Sequence, residues 1–248
     1  MAELRERLAE GAALGVIWLS LGAPALAELA AQAGADALVL DLQHGLWDRA
    51  GLEAAVGLAA PRCPVLVRVA ENSARAIGEA LDAGAEGVLV PLVETPEEAA
   101  AAVAAARYPP EGRRSGGGVR PLAAGFGPYV AHARARTLVG VMIETRAGVA
   151  DAAGIAAVPG LDLVFLGTGD LMLSHADEPD PAGATEAACA RVLAACRAAG
   201  LPCGAFTPDA AAAVARRAEG HALTVVASDL PEIMGAFAGA ARRFNGAG

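Results

Sequence analysis

Short apolar runs alternate with alanine-rich amphipathic segments from one end of the chain to the other. The apolar runs lack a clean period of two, which is typical of parallel strands that are buried on both faces. This pattern predicts eight strands, at residues 15–21, 37–42, 65–69, 87–93, 138–143, 161–166, 202–206 and 223–227.

The segments between the strands have the periodicity of helices, for example at residues 24–33, 74–83 and 97–107. A charged helical pattern over residues 1–10 precedes the first strand. Eight successive strand–helix units favour an α/β protein that folds as a (β/α)8 TIM barrel with an N-terminal helix. An open doubly wound sheet is disfavoured, because no glycine-rich phosphate turn follows the first strand. We expect residues 1–248 to form one barrel domain.

One connection, the Gly/Arg-rich segment 108–128 after the fourth barrel helix, is unusually long. It contains Arg113, Arg114 and Arg120 among several glycines. Loops of this length are functional or disordered more often than not. We interpret the segment as a mobile basic flap beside the active site, with a plain surface insertion as the alternative.

Composition and charge narrow the possible functions. The net charge of −9 argues against nucleic acid as a partner, because that partner requires a basic face. No stretch has the apolar length that a membrane span needs, and residues 1–10 lack a secretory signal. We therefore expect a cytoplasmic protein with no membrane partner, whose four cysteines are buried small residues rather than disulfides.

The chain contains no lysine, and all 19 of its basic Lys and Arg residues are arginines. A Schiff-base enzyme needs a lysine amine as its nucleophile. Pyridoxal-phosphate enzymes and P-loop NTPases need a lysine as well. These three classes are excluded.

Polar residues gather where several predicted strands end, which is where TIM barrels carry their chemistry. The second strand is followed by His44, the third contains Arg68, the fifth is followed by Glu144, and the sixth leads to Asp170. This distribution predicts one polar site at the carboxyl ends of the strands.

Glu144 and Asp170 follow strands that would be neighbours in the barrel. Two carboxylates at one strand spacing, roughly 5 Å, require a proton or a cation between them. Hard oxygen ligands suit a divalent cation such as Mg²⁺ or Mn²⁺, with positions left open for a substrate. The alternative is that one carboxylate only caps a helix.

Arg68 and His44 are the other two candidates. A buried arginine needs an anionic partner, which is either a substrate or, as the alternative, a structural carboxylate at Asp41 or Glu144. His44 could act as a general base if a carboxylate orients it, although lone histidines are more often structural.

Several stretches, taken in order along the chain, resemble the HpcH/HpaI aldolase family, the metal-dependent class II pyruvate aldolases. They cover roughly residues 12–245 and include Asp41-Leu42-Gln43-His44-Gly45, Val67-Arg68-Val69, Ala80-Leu81-Asp82-Ala83-Gly84, Gly87-Val88-Leu89-Val90-Pro91, Arg107-Tyr108-Pro109-Pro110-Glu111-Gly112, Met142-Ile143-Glu144-Thr145 and Gly167-Thr168-Gly169-Asp170-Leu171. The sequence departs from relatives at Gln43, Met142 and Ser115. These departures concern substrate choice rather than the metal chemistry.

The resemblance implies a role for each site residue. Glu144 and Asp170 would bind Mg²⁺, Mn²⁺ or Co²⁺, and Arg68 would steady the oxygen of the forming enolate. His44, helped by Asp82, would take part in proton transfer. The substrate carboxylate would be held by a backbone segment, at Gly167, Thr168, Gly169 and Leu171.

The resemblance also implies an activity, which is the cleavage of 4-hydroxy-2-oxo acids to pyruvate and an aldehyde, or their formation from these two compounds. It further implies a homo-oligomer, either a hexamer or a trimer of dimers. Without a lysine, the enolate charge must be stabilised by a Lewis acid. Decarboxylation of oxaloacetate, or an acyl-CoA lyase reaction of the citrate and malyl-CoA lyase type, is the alternative on the same site. A non-enzymatic scaffold is disfavoured, because its strand-end residues would drift toward apolar types.

Overall fold

The computed structural model describes residues 4–246, and its eight strands close into a barrel in which every neighbouring pair is parallel. The strands follow the order of the chain, and the last pairs with the first. They are β1 Leu14–Leu19, β2 Ala37–Asp41, β3 Val65–Arg68, β4 Gly87–Val90, β5 Leu138–Ile143, β6 Leu163–Leu166, β7 Cys203–Ala205 and β8 Leu223–Ser228. The prediction of a (β/α)8 barrel is confirmed, with strand ends that differ by a few residues.

Helices surround the barrel and connect its strands. They are α1 Leu4–Ala9, α2 Pro24–Ala30, α3 Arg49–Ala59, α4 Ala74–Asp82, α5 Pro96–Ala106, α6 Val119–Ala123, α7 Phe126–Arg136, α8 Arg146–Ala150, α9 Ala152–Ala156, α10 Thr168–Ser174, α11 Pro181–Ala199, α12 Ala210–Glu219 and α13 Asp229–Phe244. The predicted N-terminal helix is present as α1.

Alternate residues of each strand fill the inside of the barrel. Trp18, Leu66, Met142 and Phe165 belong to one buried inner cluster, and the residues between them on the strands pack outward against the helices. Gly140 lies in the same inward series as Leu138 and Met142, and a larger residue would not fit there, because a Cβ would come within 2.7 Å of the Leu89 side chain. This alternation of large and small residues fills a barrel interior without voids.

Helix α1 closes the N-terminal end of the barrel. Leu4 and Leu8 are buried in the inner cluster, beneath the strands. Arg5 of the same helix is paired with Asp162, which also accepts a hydrogen bond from Arg107. This end is therefore occupied by structural contacts, and the opposite end is left for chemistry.

The long Gly/Arg-rich connection does follow the helix after β4, but it is not a flap beside the site. It joins the end of α5 to the start of β5, so it lies at the N-terminal end of the barrel, because helices run back antiparallel to the strands. Part of it forms α6 and the start of α7. Arg114 is buried and donates to Asp82 at 2.8 Å. The interpretation of a mobile flap at the site was wrong.

Two expectations from composition can be compared with the structure. Across residues 4–246, none of the helices is both long and apolar enough to cross a membrane. All four cysteines are buried free thiols, as predicted.

Candidate active site

The alternation of inward and outward residues brings three of the predicted polar side chains into the barrel's C-terminal mouth. On β2 the inward series that contains Val39 ends at Asp41, and on β3 the series that contains Leu66 ends at Arg68. On β5 the same series passes Met142 and reaches Glu144, one residue beyond the strand. All three polar side chains are buried.

Arg68 is paired with Asp41, its direct partner in the register of β2 and β3. Nε of Arg68 donates to Oδ1 of Asp41 at 2.8 Å, and Nη2 donates to Oδ2. The guanidinium carbon lies 5.1 Å from the ring centre of Trp18, whose indole N–H donates to the same carboxylate. Asp41 is therefore an anionic partner of Arg68, and a role of Arg68 toward a substrate stays a prediction. Trp18 is a neighbour of this pair that the sequence reasoning missed.

Asp41 is held in its ionised form. Burial alone would raise its pKa, but the hydrogen bond and charge of Arg68 outweigh burial and lower the pKa, with help from the backbone N–H of His44 and the indole of Trp18. These partners therefore favour the ionised form of the Asp41 carboxyl.

Asp41 also fixes the turn that carries His44. Its Oδ1 accepts the backbone N–H groups of Gln43 at 3.0 Å and His44 at 3.2 Å, the local pattern that aspartate favours in turns. His44 is exposed at the C-terminal end of β2, and its ring makes no hydrogen bond to any residue in 4–246. The imidazole is therefore open to a ligand or to water.

Glu144 is 1% exposed and is held in place by a backbone donor. The N–H of Leu92 donates to its Oε1 at 2.9 Å. Leu92 has a φ of 54°, in the left-handed region that leucine rarely adopts. Such strained backbone concentrates at functional sites, where the surrounding structure imposes it.

Asp170 lies in the first turn of α10 and reaches Glu144 across the β5–β6 pair. Burial raises the pKa of Glu144, the N–H of Leu92 and the charge of Arg68 oppose this, and the charge and hydrogen bond of Asp170 reinforce it. Glu144 and Asp170 are thus brought together as predicted.

These two carboxylates fit a divalent cation. Burial raises the pKa of Glu144 most, and the charge of Asp170 adds to it; a cation between the two carboxylates would offset both effects. Oxygen is the ligand that Mg²⁺ and Mn²⁺ prefer. Within residues 4–246 no group of three or more His, Cys, Asp or Glu could hold a metal. Glu144 and Asp170 are the two side chains that would hold such a cation.

The segment predicted to bind the substrate carboxylate begins α10, beside Glu144. Thr168 donates to the carbonyl of Phe206 at 3.1 Å, Gly169 is exposed, and Leu171 is buried under the helix. The backbone N–H of Gly167 donates to the carbonyl of Ile143 at 3.3 Å and that of Leu171 to the carbonyl of Gly167 at 3.0 Å, so neither is open to a substrate. The N–H groups at the start of a helix have no partner within it, which leaves those of Thr168, Gly169 and Asp170 for an anion.

Asp82 is not brought to the site. It is the last residue of α4, which runs back from the end of β3, so Asp82 lies at the N-terminal end of the barrel while His44 lies at the C-terminal end. Its carboxylate accepts a hydrogen bond from Arg114. Within one chain the structure does not bring Asp82 to His44, and the role that the resemblance implies for Asp82 stays a prediction.

The chain was compared with known proteins. A family model described as HpcH/HpaI aldolase/citrate lyase matches residues 15–236. A hydroxypyruvate/pyruvate aldolase of Paraburkholderia phytofirmans is 37% identical over 92% of this chain and 91% of its own length. A 4-hydroxy-2-oxovalerate aldolase of Novosphingobium aromaticivorans is 41% identical over 66% of this chain, which spans 64% of that relative.

Among solved structures, an HpcH/HpaI aldolase/citrate lyase family protein of Burkholderia cenocepacia superposes with a TM-score of 0.89. It is 35% identical, and the match covers 98% of both chains. The barrel and its N-terminal helix are therefore shared with that protein over nearly the whole length.

Proposed function

The chain belongs to the HpcH/HpaI aldolase/citrate lyase family and is a carbon–carbon lyase, and we propose that it is a class II aldolase acting on a pyruvate enolate. The observation that carries the proposal is the pair of carboxylates, Glu144 and Asp170, beside the Arg68 guanidinium in a chain without lysine. Such a site lacks an amine and needs another electron sink.

The proposed reaction is the cleavage of a 4-hydroxy-2-oxo acid. The proton of the 4-hydroxyl leaves, the C3–C4 bond breaks to release an aldehyde, and C3 of the remaining enolate takes up a proton to give pyruvate. A divalent cation held by Glu144 and Asp170, Mg²⁺, Mn²⁺ or Co²⁺, would act as a Lewis acid toward the 2-oxo group. Aldol formation is the same sequence in reverse.

This chain's own residues would do the rest. Nε and Nη2 of Arg68 are occupied by Asp41, which leaves Nη1 to donate to the enolate oxygen as its charge develops. The exposed imidazole of His44 would move the proton of the 4-hydroxyl through water. The N–H groups of Thr168, Gly169 and Asp170, which begin α10, would hold the carboxylate of the oxo acid.

We also propose that the protein works as a homo-oligomer, with the hexamer or trimer of dimers implied by the family resemblance. Helix α13 supports this, because Asp229 is its only buried residue and its apolar side chains Met234, Phe237 and Phe244 are 61%, 72% and 91% exposed. An apolar face of this kind marks an interaction surface. We expect assembly in the cytoplasm, where the buried cysteines would stay reduced.

Purified protein, stripped of metal and then supplied with Mn²⁺, is the test of this function. We expect pyruvate release from a 4-hydroxy-2-oxo acid only with the metal, and loss of more than about 100-fold in kcat/KM for Glu144→Gln, because even groups that merely orient a metal ligand cost 10- to 100-fold. The exposed Glu53→Gln is the matched control and should behave as wild type.

Three outcomes separate the alternatives. Full turnover after rigorous chelation would refute the metal-dependent mechanism. Faster CO₂ release from oxaloacetate, or cleavage of an acyl-CoA thioester, would assign the site to the decarboxylase or the acyl-CoA lyase. Absence of heat on titration with Mn²⁺ and pyruvate would indicate a non-enzymatic scaffold.

A further inference from the structure

A buried carboxylate outside the proposed machinery ties the last strand of the barrel to the first. Asp229, which follows β8 as the first residue of α13, is 6% exposed. Its oxygens accept the backbone N–H of Ser20 at 2.9 and 3.0 Å and that of Leu21 at 2.9 Å. It also accepts the N–H of Leu230 at 2.8 Å. Three N–H groups are thus satisfied by one carboxylate, which is a strong, charge-assisted arrangement.

The backbone that Asp229 holds is bonded in turn to the turn that carries His44. The carbonyl of Ser20 accepts the N–H of Leu46 at 2.7 Å. The indole N–H of Trp47 donates to the carbonyl of Leu19 at 2.9 Å. The end of β1 is therefore a fixed support on which residues 43–47 rest.

The end of β1 and residues 43–47 pack so closely that no side-chain atom fits between their backbones. A Cβ on Gly45 would lie 2.1 Å from the carbonyl oxygen of Asp41 and 2.9 Å from that of Ser20. A Cβ on Gly22 would lie 2.5 Å from the carbonyl of Leu46. Because the two loops touch through backbone atoms, a displacement of one must displace the other.

We propose that Asp229 is a positioning residue for the half of the site formed by His44 and the Asp41–Arg68 pair. It does not touch the reacting atoms; it acts through the backbone of Ser20 and Leu21 on the turn that presents His44. The hydroxyl of Ser20, 3.5 Å from Oδ2 of Asp41, gives a second connection to the ion pair. The inference rests on the proposed aldolase function.

If Asp229 served only to start α13, its hydrogen bonds to Ser20 and Leu21 would have no explanation. Only the bond to Leu230 lies within that helix, whereas the bonds to Ser20 and Leu21 reach an element 209 and 208 positions away in the sequence. In the other half of the site, Glu144 directly follows β5 and Asp170 lies on α10, across the barrel from Asp229. Loss of Asp229 should therefore affect the two halves differently.

Asp229→Asn is the test, because the amide keeps the size of the side chain but replaces one acceptor oxygen by a donor that faces N–H groups. We expect kcat for pyruvate release to fall by about 10- to 100-fold, the effect of a displacement of up to about 1 Å in a catalytic group. The KM for the oxo acid and the Kd for Mn²⁺ by calorimetry should stay within twofold of wild type.

Asp209→Asn is the matched control, since Asp209 also accepts a backbone N–H at a helix start but is exposed and holds no second loop. It should keep the kcat of wild type. If Asp229→Asn does not fold by circular dichroism, Asp229→Ser, which keeps one oxygen acceptor, takes its place in the comparison.

An Asp229 variant with the kcat of the Asp209 variant would overturn the inference while leaving the aldolase function standing. Equal losses in kcat and Mn²⁺ affinity would also overturn it, because they would indicate general disruption of the barrel. A wild-type protein that neither binds Mn²⁺ nor releases pyruvate would overturn the proposed function, and this inference with it.

Discussion

Gly167 and Glu144 show how closely the candidate metal site is packed at the scale of single residues. A Cβ at position 167 would lie 2.2 Å from Oε2 of Glu144 and 2.7 Å from its Cδ, closer than any real contact. The other oxygen of Glu144 is held by the N–H of Leu92. The carboxylate therefore cannot move aside without losing that bond.

We expect Gly167→Ala to push Glu144 away from Asp170, which weakens Mn²⁺ binding by at least about 10-fold, as loss of support for a metal ligand does. Calorimetric titration with Mn²⁺ measures this without relying on turnover. Gly78→Ala, on the surface of α4 with open space around its Cβ position, is the control and should bind Mn²⁺ as wild type. Unchanged affinity in Gly167→Ala would contradict the placement of the metal against Glu144.

Sequence reasoning found the site residues whose chemistry is carried by their own side chains. Glu144 and Asp170 could be predicted because carboxylates rarely follow apolar strands without a reason, and their strands had to be neighbours. Leu92 could not be predicted, because it acts through its backbone N–H, which every residue except proline has. Asp229 could not be predicted either, because its partner Ser20 lies 209 positions away in the sequence. Asp82 was given its role by resemblance alone. It ends α4 and lies away from His44 within one chain, and its role in proton transfer stays a prediction.

The strands and helices themselves were predictable because each obeys a local pattern. Strands buried on both faces read as unbroken apolar runs, and their order in a barrel follows the order of the chain. The segment after α5 was not predictable, because its glycines and arginines have no periodicity, while the structure shows Arg114 buried against Asp82, Tyr108 and Tyr129. Long-range ion pairs, and not local preference, determine where such a segment packs.

Helix α13 has the apolar periodicity of a buried helix, yet most of its large apolar side chains are exposed to solvent. Leu230, Met234, Phe237 and Phe244 recur at helical spacing along it, yet all are exposed. A cavity of about 260 Å³ opens over β8 and β1, with Val214, Thr224 and Val226 among its lining residues. A helix that follows β8 would be expected to cover that part of the barrel, so we infer that a second copy of the chain contacts α13.

We expect Phe237→Glu to shift the protein toward a smaller oligomer, because a charge in an apolar interface costs desolvation energy without a partner. Light scattering coupled to size-exclusion chromatography measures the mass directly. Ala187→Glu, an exposed alanine on α11, is the matched control and should keep the mass of wild type. If Phe237→Glu has the same mass as wild type, α13 is not the contact between copies.

At the scale of the whole molecule, the two ends of the barrel have different tasks. The C-terminal end carries the candidate site, whereas the N-terminal end is filled by α1, by the ion pairs of Asp162 and by His221, which precedes β8 and is 1% exposed. This division is general in TIM barrels, where the N-terminal face serves stability. Changes at His221 should therefore alter unfolding and leave the chemistry intact.

The pKa of His221 is lowered to about 4, first by burial and then by the positive charge of Arg216, while Glu219 acts in the opposite direction. In the unfolded chain the pKa is about 6.5, so between about pH 6.5 and pH 4 the unfolded state binds one more proton than the folded state. The stabilising effect of keeping this histidine neutral is therefore complete above about pH 6.5 and declines as the pH falls toward 4. This histidine alone should make the free energy of unfolding fall by up to about 1.4 kcal/mol for each pH unit in that window.

Replacing His221 by leucine removes the titrating group, so the free energy of unfolding of His221→Leu should fall less steeply than that of wild type between pH 6.5 and 4. Urea unfolding at pH 7, 5.5 and 4.5 measures the slopes, and the difference between the two proteins cancels the carboxylates that they share. His132→Leu, at an exposed position on α7, is the control and should follow wild type. Because His221 lies at the end of the barrel opposite Glu144, kcat at pH 7 should be unchanged in His221→Leu. Parallel slopes for wild type and His221→Leu would mean that the buried ring takes up its proton in the folded state as easily as in the unfolded chain.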